Sequence, residues 1–297
     1  MTVRRRVVAR VVALAVAAAV LLVLSPSVGA PPEACRRQGG ASPPTDAVDA
    51  SGPMLPASGV RHILSDTAQR AIVAYGGAER WLDAEATEGD VTVTGLLFHA
   101  KSRSLPPRTY IWTSLVRPYV RIDPIDRRGR VGVLDGLDVR LEDRSGRVLA
   151  ERKNAPRFFP YGRRLLYWDS LDLTYFAGYA FWGYFTLPRL LLRADIAWTE
   201  VEDGILEARF PPYLPRHSEI QRFYFDRETG LLTRNDYVAE AVGSFAVAAN
   251  VVLSNREWEG IPFPSRRRVT ARESDGSYSQ FPILVGIEVH RWCLVES

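Results

Sequence analysis

Two stretches of the chain alternate apolar and polar residues with a period of two. In the first, Val91 and Val93 alternate with Thr92 and Thr94 from Asp90 onward, Tyr110 to Val116 is aromatic and β-branched, and Gly129, Asp135-Gly136 and Ser145-Gly146 fall at turn spacing. In the second, after residue 195, the pattern predicts strands over 198–202, 206–210, 221–226, 231–239, 246–253, 268–272 and 283–290, with turns at 226–230 and 275–276. In the last of these strands Ile283, Val285, Ile287 and Val289 share one face, opposite Leu284, Gly286, Glu288 and His290. One side of the sheet is therefore expected to be dry and the other mixed.

Helical spacing occurs in two places. Ile63, Leu64, Ala68, Ala71, Ile72 and Tyr75 form one stripe, with Ser58 or Ser65 as the candidate cap and Gly76-Gly77 as the stop. Trp81-Leu82 predicts a short second turn. The other place is Tyr167 to Leu192, between the two β halves. Nine of the nineteen residues from Tyr167 to Phe185 are aromatic, and Leu173 to Leu187 carries no charge over 15 residues, too short for a membrane span. Gly178 and Gly183 allow close packing, and Pro188 is expected to end or kink the helix. Two readings stand together: a helix buried as the core of a curved sheet, or a plug or lid whose rings line an apolar cavity. The candidate ligand-lining residues are Tyr175, Phe176, Tyr179, Trp182 and Phe185, with Trp112 and Phe223 on the flanking strands.

The N-terminus reads as an export segment. Arg4, Arg5 and Arg6 precede Val7 to Leu24, which is apolar except for Arg10, and Val28-Gly29-Ala30 is a small-x-small cut site. Pro31 after that site disfavours cleavage, so residues 1–30 are either a signal peptide or a membrane anchor through residues 7–24. Residues 31–58, rich in Pro, Ala, Ser and Asp, read as a tether, which leaves 59–297 as one domain.

Composition narrows the classes further. The formal charge of +4 is carried by arginine, with Lys101 and Lys153 the only lysines, and acids alternate with the bases, so no nucleic-acid stripe is expected. Arg163-Arg164 and Arg266-Arg267-Arg268 read as solvated faces, suited also to anionic lipid headgroups at a membrane surface. The two cysteines, Cys35 and Cys293, leave open a disulfide, free thiols or a lipidated Cys35. Pro32-Glu33-Ala34-Cys35 departs from the lipidation pattern, and no zinc site is expected.

No set of residues compels catalysis, and no metal or cofactor is expected. The chain lacks a Gly-x-Ser-x-Gly elbow, a His-Glu-x-x-His pair, a phosphate-cradling loop and a Cys-x-x-Cys pair. His217, beside Ser218 with Asp236 or Glu240 to orient it, is the one candidate for an ester hydrolase, although its place after Pro211-Pro212 and Pro215 favours a structural role at a strand entrance. Glu200, Glu202 and Asp203 read as a solvated acid cluster, without the further oxygen ligands calcium requires.

The layout over roughly residues 60 to 292, an N-terminal helix, strands, a central helical insertion and strands again, resembles the incomplete β-barrel of LolA and LppX type lipoprotein and lipid carriers. The segment from Tyr224-Phe225-Asp226 through Gly230-Leu231-Leu232 is similar to a hairpin frequent in that group. The blocks Trp168-Asp169, Tyr175 to Ala180, His217 to Asp226 and Asp236-Tyr237 are also similar to an exported bacterial family of uncharacterised role. The resemblance implies an antiparallel half-barrel with an inserted helix, holding a lipid or other apolar molecule as carrier or binding protein; a monomer in the cell envelope or outside it is expected. A partner-binding sensor of the same fold stays open.

Overall fold

The computed structural model describes residues 64–102 and 105–296. The export segment, the 31–58 tether, Ser58 and Cys35 lie outside the described residues.

Helix α1, Asp66–Ala74, starts at Ser65, whose hydroxyl accepts from the Ala68 amide. The adjacent Glu200 adds a second cap by accepting from the amide and hydroxyl of Thr67, and Asp203 pairs with Arg70. The acid cluster expected to be solvated thus docks α1 on the sheet, except for Glu202. Gly76 and Gly77, both at positive φ, stop α1, and α2, Ala78–Asp83, buries Trp81.

The thirteen strands of the described residues form one antiparallel sheet. The chain runs through β1 Ala84–Thr94, β2 Thr109–Ser114, β3 Tyr119–Asp123, β4 Val131–Asp135, β5 Asp138–Glu142 and β6 Val148–Arg152 to one edge. It restarts at the other edge and returns through β7 Ala197–Glu202, β8 Ile205–Arg209, β9 Ile220–Phe225, β10 Leu232–Val238, β11 Val247–Trp258, β12 Ile261–Ala271 and β13 Val285–Glu296. The two meanders meet where β13 pairs with β1, and the edges β6 and β7 are unpaired with each other.

Three features depart from the sequence reading. A short helix α3, Leu96–Lys101, follows Gly95. Strand β1 begins six residues before Asp90, because Ala84 to Gly89, poor in β-formers, are paired by β13 and, from Ala86, by β2 as well. Strands β11, β12 and β13 run further than their alternation suggests, and Ile283 precedes β13. Cys293, on β13, is buried and disulfide-bonded.

The connection between the sheet edges carries α4, Ser170–Phe185, and α5, Leu187–Leu191, with Pro188 at the start of α5. A reciprocal capping box of Asp169 and Asp172 opens α4. Asp172 is fully buried and is shared by Arg152 of β6, Arg163 at 2.7 Å and Arg164 at 2.6 Å. Arg163, exposed as expected, and Arg164, which is largely covered, both anchor the helix start. Beside them Ser170 donates to Asp126 at 2.7 Å and Arg130 donates to both. Burial would raise the Asp126 carboxyl, but the bonds from Arg130 and Ser170 outweigh it and hold the group below the usual range.

Helix α4 is apolar on every side, so the sheet must surround it. It packs on β2 to β6, Phe185 meets Phe263 of β12, and Tyr184 meets Tyr237 of β10. Only a sheet curled into an incomplete barrel brings all of those strands to one helix. The contact with the first half is tight: a Cβ on Gly178 would stand 2.8 Å from Leu134 Cβ, whereas one on Gly183 would meet nothing within 4 Å.

The same substitution at these two glycines should have opposite signs. Gly183→Ala should stabilise by up to about 1 kcal/mol, the helix-propensity gain. Gly178→Ala should cost about 1–3 kcal/mol because Leu134 must be displaced. Urea unfolding of both variants checks this, and equal shifts would show that α4 is not seated on β4.

Candidate functional site

The looser side of α4 faces β9, β10 and the segment between β8 and β9. Tyr179, Trp182, Gly183 and Tyr184 of α4, Leu190 of α5, Phe210, Pro215, Arg216 and His217 of that segment, and Gln221, Phe223 and Asn235 of the strands enclose a cavity of about 20 Å³. That volume holds about one water molecule.

Of the seven residues expected to line a ligand space, Tyr179, Trp182 and Phe223 border this cavity. Tyr175 and Phe176 stand just behind it, their rings 5.1 and 5.5 Å from Tyr179. Phe185 lies away from it, against Phe263, which stacks on Trp292. Trp112 is not with the others: it packs on Tyr119, Val131 and Val133, a separate cluster, because its position in β2 alternates with that of the core residue Ile111. Truncating this one ring should leave the cavity untouched.

His217 is buried among aromatic rings. Its imidazole stacks on Tyr237 with centroids 3.7 Å apart and meets Tyr179 edge-on at 4.8 Å. The Tyr184 hydroxyl lies 2.9 Å from His217 Nε2 and 3.0 Å from the Tyr237 hydroxyl, so a chain of three polar groups crosses the aromatic cluster. Nδ1 has no partner, and neither has the Tyr179 hydroxyl. Burial pushes the His217 pKa down to about 3, and burial also raises the Tyr184, Tyr179 and Tyr237 hydroxyls. At neutral pH the cluster is therefore uncharged.

The catalytic alternative for His217 has no orienting acid. Asp236 binds Arg234 and Arg272 at 2.7 and 2.8 Å, and Glu240 meets His217 only through a backbone amide. Ser218 donates to the Ile220 carbonyl at 2.7 Å and not to the imidazole. A histidine so placed stacks and bridges; nothing here polarises a serine hydroxyl.

Sequence reasoning assigned Arg267 to a solvated triplet, and here the structure differs. Strand alternation turns the middle arginine inward: Arg267 is 4% exposed, and its guanidinium carbon stands 4.9 Å from the Tyr184 ring. Burial lowers its pKa from the ordinary value. The signal available in the sequence was the period of two itself, which cannot leave three consecutive arginines on one face.

A neutral buried imidazole makes acid stability depend on His217. Its folded pKa of about 3 lies below the unfolded value of about 6.5, so the unfolded chain binds the extra proton first. The contribution is intact above about pH 6.5 and is lost as pH falls toward 3, on the order of a few kcal/mol in all. His217→Gln should therefore lose less stability than wild type between pH 7 and pH 4.5 in urea titrations. An identical loss would place the imidazole in contact with solvent.

No protein-family model matches the chain, and no curated protein matches it. Among solved structures it is similar to a LolA superfamily protein from Nitrosomonas europaea, at 8% identity and a TM-score of 0.44, covering 79% of this chain and 95% of that one. It is similar to a DUF1329 family protein from Desulfovibrio piger, at 14% identity and a TM-score of 0.40, covering 78% and 92%. A third is a domain from Vibrio parahaemolyticus described as an outer membrane lipoprotein-sorting protein, at 9% identity and a TM-score of 0.40, covering 77% and 90%. The first of these is named for the group that the order of elements in the sequence resembles.

Proposed function

We propose that this is an exported protein of the cell envelope that binds a lipid or another apolar molecule between α4 and the second half of the sheet. The observation that carries the reading is the asymmetry of α4. Its Gly178 side is closed on β4, while its Tyr179, Trp182 and Gly183 side leaves an aromatic cavity walled by Phe210, Pro215 and Phe223. Aromatic walls that exclude water favour an apolar guest. The cavity as it stands holds no more than about one water molecule, so an acyl chain enters only if the 210–217 segment or the Trp182 ring moves aside.

An uncharged apolar fluorophore, N-phenyl-1-naphthylamine, tests this. Saturable binding is expected, and Gly183→Leu should weaken it at least fivefold, because the new side chain projects into the cavity. No saturable binding by the wild-type chain would overturn the reading.

An exposed apolar segment supports contact with a membrane. Tyr161, Leu165, Leu166 and Tyr167 are exposed, with Leu166 at 80%, beside the exposed Arg157 and Arg163. Aromatic and aliphatic side chains flanked by arginines suit the interface of an anionic bilayer. Cosedimentation with phosphatidylglycerol vesicles should fall at least threefold in a Leu165→Ser, Leu166→Ser double variant. An unchanged fraction bound would remove the segment from the membrane contact.

A further inference from the structure

Four arginines of the described residues are buried: Arg189, Arg193, Arg267 and Arg291. Two have their counter-charge within the chain. Arg291 bonds Glu88 and Asp90 at 2.7 and 2.8 Å, and Arg193 bonds Asp195 at 2.6 Å. Arg267 and Arg189 have no carboxylate among the described residues, and Nη1 of each lacks any hydrogen-bond partner. A buried cation without a counter-ion is costly, and proteins normally pair it.

Of the two, Arg267 adjoins the cavity: its guanidinium stands behind the Tyr184 wall. The charged groups around Arg267 do not neutralise it. Its near neighbours are the Tyr184, Tyr75 and Tyr237 rings, whose hydroxyls burial pushes upward and keeps protonated. On the cavity itself, Arg216 donates through Nη1 to the Pro211 carbonyl at 2.6 Å but leaves Nε buried and unpartnered. The Tyr179 hydroxyl there is an unused donor as well. Water would satisfy these donors but would bring no negative charge.

We infer that the cavity is the head-group end of the ligand site and takes an anionic head, a carboxylate or a phosphate monoester, so that the counter-ion of Arg267 arrives with the ligand. The inference rests on the apolar-ligand reading and adds the charge of the ligand's polar end. The head bonds the Arg216 and Tyr179 donors, Arg267 supplies the positive field, and the tail follows the aromatic side of α4. An arginine can serve this role because its guanidinium stays charged even where burial opposes it.

Calorimetric titration of the full chain with dodecanoate, dodecyl phosphate, 1-dodecanol and inorganic phosphate tests it. Dodecanoate and dodecyl phosphate should bind at least tenfold more tightly than 1-dodecanol, and Arg267→Met should shrink that ratio to below threefold. The variant should melt no lower than wild type, because an unpaired buried cation has been removed. Should Arg267→Met fail to fold, Arg216→Gln is expected to shrink the ratio in the same direction. Equal binding of acid and alcohol would overturn the anionic head and leave the apolar reading standing. Failure of every amphiphile to bind would overturn both. Binding of inorganic phosphate as tight as that of dodecyl phosphate would assign the site to a free anion and overturn the amphiphile.

Discussion

A helix that is apolar on all sides has no face to offer to water, and the rest of this fold follows from hiding it. Among the residues of α4 only Ala177 and Gly183 are less than fully buried. Thirteen strands of the described residues curl about it, and it lies in the connection that joins the two sheet edges. The ends of the helix are treated differently. Asp172 gathers three guanidiniums at the start, a buried charge cluster that is compensated within the chain. Towards the other end Tyr184, His217 and Tyr237 form a neutral chain beside a cation that is not.

This contrast gives the molecule a rigid end and an adjustable one. Breaking the Asp172 cluster would leave charges buried without partners, so the start of α4 has one low-energy arrangement. The cavity end has no paired-charge cluster to break, and several donors there are already unsatisfied.

Much of the architecture was legible because strand and helix periods are local properties. The alternation around Val91, the Gly76-Gly77 stop and the charge-free stretch from Leu173 to Leu187 each correspond to an element. What was not legible depends on distant partners. Ala84 to Gly89 becomes a strand only because two others clamp it, and Trp112 and Phe223 look alike in sequence but sit in different clusters of the sheet. The arginines show the same limit. Arg163 and Arg164 find Asp172 in space, and Arg267 is turned inward by its strand, so like-charge runs that read as solvated serve as ties or as a buried charge.

The pairing of β1 with β13 sets the order in which such a chain can assemble. Strands β1 to β6 and β7 to β13 each grow by hairpins between neighbours in sequence, but Glu88 faces Cys293, roughly 200 residues away. Closing a loop of that length costs about 2–3 kcal/mol more than closing a ten-residue hairpin, at about 0.6 kcal/mol per doubling. Each meander can therefore form early, while the seam between them waits on a long search. Until that seam closes, β2 to β6 can cover only the Gly178 side of the aromatic helix, so the step that waits on the long search is also the one during which its other apolar side is unprotected.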